Sequence, residues 1–123
     1  MERRGQKYHR GRMGEALREE IETILEGELG DPRIGLVNVS EVQLAEDGRS
    51  ARVFVVVQGD DQEAEHTMQG LTAATGFVRR ELMERLRLRR APDLLFHLDR
   101  SQQYERRINE LLQRTRKKHS QQL

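Results

Sequence analysis

The segment LVNVSEVQLAEDGRSARVFVVVQ, residues 36–58, constrains the fold more than any other stretch, because apolar and polar residues alternate on both sides of an Asp47-Gly48 pair. Alternation with a period of two places one side-chain set on one face of a strand, and Asp-Gly between two such runs marks a tight hairpin turn. On the second arm Ala51, Val53, Val55 and Val57 share a face. On the first arm Val37 and Val39 are out of phase with Val42 and Leu44. One extra residue near Ser40 or Glu41 would bring all four inward, which predicts a β-bulge. A hairpin with one apolar face has to be covered, so the rest of the chain must supply a second layer.

Helical periodicity flanks the hairpin. From Arg12 onward Met13, Leu17, Ile21, Ile24 and Leu25 step by three and four residues, predicting a helix to near Leu29 that Gly30 and Pro32 close. After the hairpin, Asp60 or Asp61 caps a helix carrying Ala64, Met68, Leu71 and Ala74 inward, and Val78, Leu82 and Leu86 continue a stripe toward Leu88, short of Pro92. Gly76 interrupts that run. Glycine inside a helix costs about 1 kcal/mol relative to alanine, so the spacing predicts two helices meeting at Gly76, with Arg79 and Arg80 in the first turn of the second. The segment LLFHLD, 94–99, reads as a third strand with Leu94, Phe96 and Leu98 on one side and His97 and Asp99 on the other. Residues 101–116 place Tyr104, Ile108, Leu111 and Leu112 at helical spacing before a basic end. The order α-β-β-α-α-β, followed by a C-terminal helix, predicts an α+β fold with helices on one face of a three-stranded sheet. Residues 1–10 form a basic flexible N-terminal tail, 11–100 the domain, and 101–123 a C-terminal helix and basic tail.

Charge carries the functional signal. The net charge of +1 hides a segregation: residues 1–66 sum to −6 and residues 67–123 to +7. Basic segments of this kind suit a polyanion such as nucleic acid, because Arg and Lys on phosphates release counterions. Arg79, Arg80, Arg85, Arg87, Arg89 and Arg90 surround the third helix, away from its apolar stripe, and form the best candidate phosphate-contacting face. The acidic residues Glu19, Glu20, Glu22, Glu26 and Glu28 read as the solvated face of the first helix.

Other chemistries find little purchase. The chain has no cysteine, which removes disulfides, thiolate metal sites and cysteine nucleophiles together. Its four histidines, His9, His66, His97 and His119, have no metal-site spacing, and no cofactor motif is present. His97 and Asp99 share a strand face, as a hydrolase pair could, but no nucleophile or oxyanion site accompanies them. No stretch is apolar enough to span a membrane or to serve as a signal peptide, which points to a cytoplasmic protein. A general single-stranded RNA- or DNA-binding module and a small hydrolase stay open beside a dedicated RNA-binding factor.

The stretches GDPRIGLVNVSEVQLAEDGRSARVFV, LTAATGFVRRELMERLRLRRAPDLLFHLDRS and RRINELL, taken in order over roughly residues 10–112, closely resemble the bacterial ribosome-binding factor A family. Asp31-Pro32-Arg33, Leu88-Arg89, Pro92-x-Leu94 and Phe96-x-x-Asp99 stand where that family has them. The resemblance implies a single type II KH-like domain in which an Ala-x-Gly kink, here Ala74-Thr75-Gly76, replaces the G-x-x-G loop that grips a nucleic-acid strand in ordinary KH domains. It further implies a non-enzymatic, monomeric factor without cofactor. Such a factor binds the free small ribosomal subunit, its 16S ribosomal RNA and the precursor of that RNA, late in assembly. It supports processing of the 5′ end, above all in the cold. On this reading Ala74, Thr75, Gly76, Arg79, Arg80, Arg85, Arg87 and Arg89 contact RNA, joined by the basic ends Arg3, Arg4, Lys7, Arg10, Arg12, Arg116, Lys117 and Lys118.

Overall fold

The structure, a computed structural model, describes residues 2–27 and 34–121, and the side chains within 11–27, 34–101 and 103–116. Its elements are α1 (Glu2–Gly27), β1 (Val37–Leu44), β2 (Ser50–Val57), α2 (Asp61–Ala73), α3 (Thr75–Leu86), β3 (Asp93–Leu98) and α4 (Ser101–Gln121). The strands form one sheet in the order β1-β2-β3, with β1 antiparallel and β3 parallel to the central β2. A parallel neighbour needs a long crossover, which α2 and α3 provide.

The hairpin closes as its residues dictate. Gly48 adopts φ 70, a left-handed conformation that glycine enters without a Cβ penalty, and the Asp47 carboxylate accepts the Arg49 N–H at 3.0 Å. Pairing runs Val39 to Val55 and then Glu41 to Phe54, so Ser40 is the extra residue of the bulge. The phase change leaves Val39 and Val42 both buried. Against this inner face pack Leu17, Ile21 and Ile24 of α1, Leu71 of α2, and Val78 and Leu82 of α3, closing a core around Val53 and Val55. At Gly14 the α1 backbone approaches β1 so closely that an added Cβ would lie 2.9 Å from the Val42 carbonyl oxygen. Buried Thr67 is satisfied by the Gly35 N–H at 3.2 Å.

Several boundaries differ from the spacing-based expectation. α1 begins at Glu2 rather than near Arg12, so its first turns occupy the segment predicted as a tail; straight-chain Glu, Arg, Gln and Lys there favour helix. The caps expected at Gly30 and Pro32 lie outside the described residues, as does Arg33. α3 stops at Leu86, two residues early, because Arg87 turns left-handed at φ 52 and the N–H groups of Arg87 and Leu88 both close on the Met83 carbonyl. The α2–α3 junction lies at Ala74 and not at Gly76. Ala74 has φ −86 and ψ −1, its N–H reaches the carbonyls of Gly70 and Leu71, and its own carbonyl accepts from Val78 as the N-cap of α3. Gly76 is the second residue of α3, with open space where a Cβ would point. The continuous helix is therefore broken by one residue leaving helical ψ, with no left-handed glycine required.

Candidate nucleic-acid interface

The arginines predicted to share one exposed face divide into two groups. Arg79 is committed internally: its Nε donates to the Pro92 carbonyl at 3.1 Å, its Nη2 donates to the Ala91 carbonyl at 3.0 Å, and Nη2 stands 3.4 Å from the Asp93 carboxylate. The left-handed turn at Arg87 brings residues 91–93 under α3, and the guanidinium fork satisfies carbonyls there. Arg85 is committed as well, 3.6 Å from Glu20 and 3.5 Å from Glu81, which ties α3 to α1. Both were expected to face RNA. Arg80, Arg87 and Arg89 are exposed and make no ion pair among the described residues.

Since the helix break falls at Ala74, Arg79 and Arg80 occupy the second turn of α3, past the N–H groups that a helix start leaves open. Those groups belong to Thr75, Gly76 and Phe77. No side chain caps them, since the N-cap residue is Ala74 and the Thr75 hydroxyl donates back to the Leu71 carbonyl at 3.2 Å. Gly76 is exposed, so the backbone can be approached here. Arg12 is exposed on α1 and Arg116 on α4. The side chains of Arg3, Arg4, Lys7, Arg10, Lys117 and Lys118 lie outside the described residues.

Two arginines stand off the body of α3. Arg49, on the hairpin turn, and Arg90, on the loop after α3, are both exposed, and they line one cleft of about 360 Å³ with Arg79, Asp47 and Asp93. Arg90 belongs to the basic cluster around the third helix that the sequence singles out, whereas Arg49, a lone basic residue beside a turn, carries too weak a signal to be selected.

The pair on the third strand does not work together. His97 stacks on Phe54, ring centroids 5.5 Å apart and planes 28° from parallel. The Asp99 carboxylate instead accepts from the Ser40 hydroxyl at 2.7 Å and from the Ser101 N–H at 2.9 Å, bonds that hold its carboxyl below the ordinary aspartate range. Asp99 thus reaches across β2 to the bulge on β1 and braces the start of α4. Among the described residues no cluster of three His, Asp or Glu side chains could hold a metal ion.

A family model for ribosome-binding factor A matches residues 9–112. The ribosome-binding factor A of Koribacter versatilis is 59% identical over 118 residues, covering 96% of this chain and 96% of that protein. The crystal structure of ribosome-binding factor A from Thermus thermophilus superposes with a TM-score of 0.65 at 27% identity, over 72% of this chain and 93% of that one. A homology model of the Thermus thermophilus factor, fitted into a cryo-electron-microscopy map of its complex with the 30S subunit, superposes with a TM-score of 0.59 at 29% identity, over 70% and 90% of the two chains.

Proposed function

This chain belongs to the ribosome-binding factor A family, and from that premise we propose that it is a ribosome assembly factor that binds the free small ribosomal subunit late in maturation. The observation that carries the reading is the match over residues 9–112, joined to a Thermus thermophilus relative of the same fold fitted into a map of a 30S complex. The proposal extends to support of 5′-end processing of 16S ribosomal RNA, with the greatest effect in the cold, in the cytoplasm. Among the described residues no helix is long and apolar enough to cross a membrane.

The protein acts here by binding, without covalent chemistry. A domain that holds one conformation of precursor RNA more tightly than another shifts the RNA toward it by the difference in affinity. Arg80, Arg87 and Arg89 supply phosphate contacts, and the open backbone at Thr75 and Gly76 sits one turn before Arg80 on the same helix. The basic ends, from Arg3 to Arg12 and from Arg116 to Lys118, extend the contact along the RNA. Arg79 and Arg85 instead keep the scaffold in place.

Sedimentation of tagged protein in cell extract tests the reading. The chain travels with free small subunits and is absent from assembled ribosomes. Even distribution across all fractions, or equal affinity for short oligonucleotides and for subunits, would replace the assembly factor with a general nucleic-acid binder.

A further inference from the structure

The two loops at the strand-entry end of the sheet are locked together. The Asp93 N–H donates to the Arg49 carbonyl at 2.9 Å, so the hairpin turn and the loop after α3 meet where β2 and β3 start side by side. Arg79 braces the second loop through the carbonyls of Ala91 and Pro92, both buried residues. Arg87, the one described non-glycine residue with positive φ, swings the chain off α3 so that Arg89 and Arg90 stand on that braced loop. A left-handed arginine is held against its own preference by its surroundings.

Between the loops lies the cleft of about 360 Å³, with Asp47, Gly48 and Arg49 on one wall and Arg79, Arg90 and Asp93 on the other. Its carboxylates already have partners. Asp47 accepts from the Arg49 backbone at 3.0 Å, and Asp93 faces Arg79 at 3.4 Å. The guanidinium groups of Arg49 and Arg90 are exposed, have no ion pair among the described residues, and stand on opposite walls. Guanidinium forks match phosphate oxygens in pairs, and two forks on a rigid frame bind with less ordering cost than flexible side chains do.

We propose that this cleft is a phosphodiester-binding site for RNA, with Arg49 and Arg90 as the ligands and Arg79 as the positioning residue. The proposal rests on the small-subunit reading above and adds a contact away from the α2–α3 junction. It predicts that RNA is gripped by the hairpin turn and the α3–β3 loop together.

The test is binding of purified small ribosomal subunits across a salt series. The Arg49→Gln/Arg90→Gln variant should keep the wild-type melting temperature, lose about tenfold in affinity at low salt, and show a log–log salt slope smaller by roughly 1.5. Asp47→Asn removes a repelling charge while its amide oxygen still accepts the Arg49 N–H, so its affinity should rise. In an Arg79→Ala background, assayed cold where the protein is folded, the double arginine change should lose most of its effect, which a purely structural role for Arg79 would not produce. Wild-type binding with an unchanged slope in the double variant overturns the site alone, as does weaker binding at an unchanged slope, since that marks a protein contact. A wild-type chain that ignores small subunits overturns the ribosome reading and the site with it.

Discussion

α1 and α4 carry the same kind of apolar stripe and meet opposite fates. In α1, Leu17, Ile21 and Ile24 are at most 1% exposed, whereas in α4 Tyr104, Ile108, Leu111 and Leu112 are 39–68% exposed. Helical periodicity states that a stripe exists and says nothing about whether the same chain covers it. The inner face of the sheet is filled by α1, α2 and α3, and none of the apolar residues of α4 joins that core. α1 earned its place through shape as well as hydrophobicity, since only glycine at position 14 lets it settle on β1.

Truncation is the largest test of that contrast. Leu82→Ala, in the core, should cost about 2–5 kcal/mol in urea denaturation, while Leu111→Ala in α4 should stay within about 0.5 kcal/mol. Equal losses would mean that α4 is covered after all. Next come the glycines. Gly14→Ala should cost on the order of 1–3 kcal/mol as α1 is pushed off the Val42 carbonyl, whereas Gly76→Ala, which meets open space in a helix, should stabilise by up to about 1 kcal/mol. A destabilising Gly76→Ala would return the junction to Gly76.

The same division runs through the arginines of α3. Arg79→Ala leaves the Ala91 and Pro92 carbonyls short of a donor and should cost about 1–2 kcal/mol, and Arg80→Ala should change stability by less than about 0.5 kcal/mol while weakening subunit binding. The smallest effect belongs to Asp99, where the body joins α4. The Ser40 hydroxyl, and then Ser101, hold its carboxyl below the ordinary range, so the folded state binds this proton less readily than the unfolded chain. The stabilisation is therefore complete above the unfolded carboxylate pKa of about 4 and fades as pH falls through the lower folded value. Asp99→Asn should lower the urea midpoint at pH 7, and the gap to wild type should narrow as pH falls through the folded value; a constant gap would assign the effect to shape instead of charge.

Much of the body was readable in advance because its signals are local. Alternation around Asp47-Gly48 specified the hairpin, and the phase slip between Val39 and Val42 confined the bulge to Ser40 or Glu41, of which the strand register selects Ser40. An aspartate cap at Asp60 or Asp61 was readable because such a carboxylate needs only an N–H three residues on, and Asp60 is the one that takes the Glu63 N–H. The candidate site was less legible. Arg79 and Arg80 are neighbours of one chemical type, and nothing within several residues of them separates a brace from a free cation.

The sequence alone therefore determined which elements form and which face of each is apolar, since side-chain period, turn chemistry and capping act over a few residues. Only the tertiary structure decided which arginines are free, which stripe is covered, and that Arg49 and Arg90 flank one cleft. Those outcomes depend on partners distant along the chain, the carbonyls of Ala91 and Pro92 for Arg79 and the filled inner face of the sheet for α4, and such partners meet only once the chain has folded.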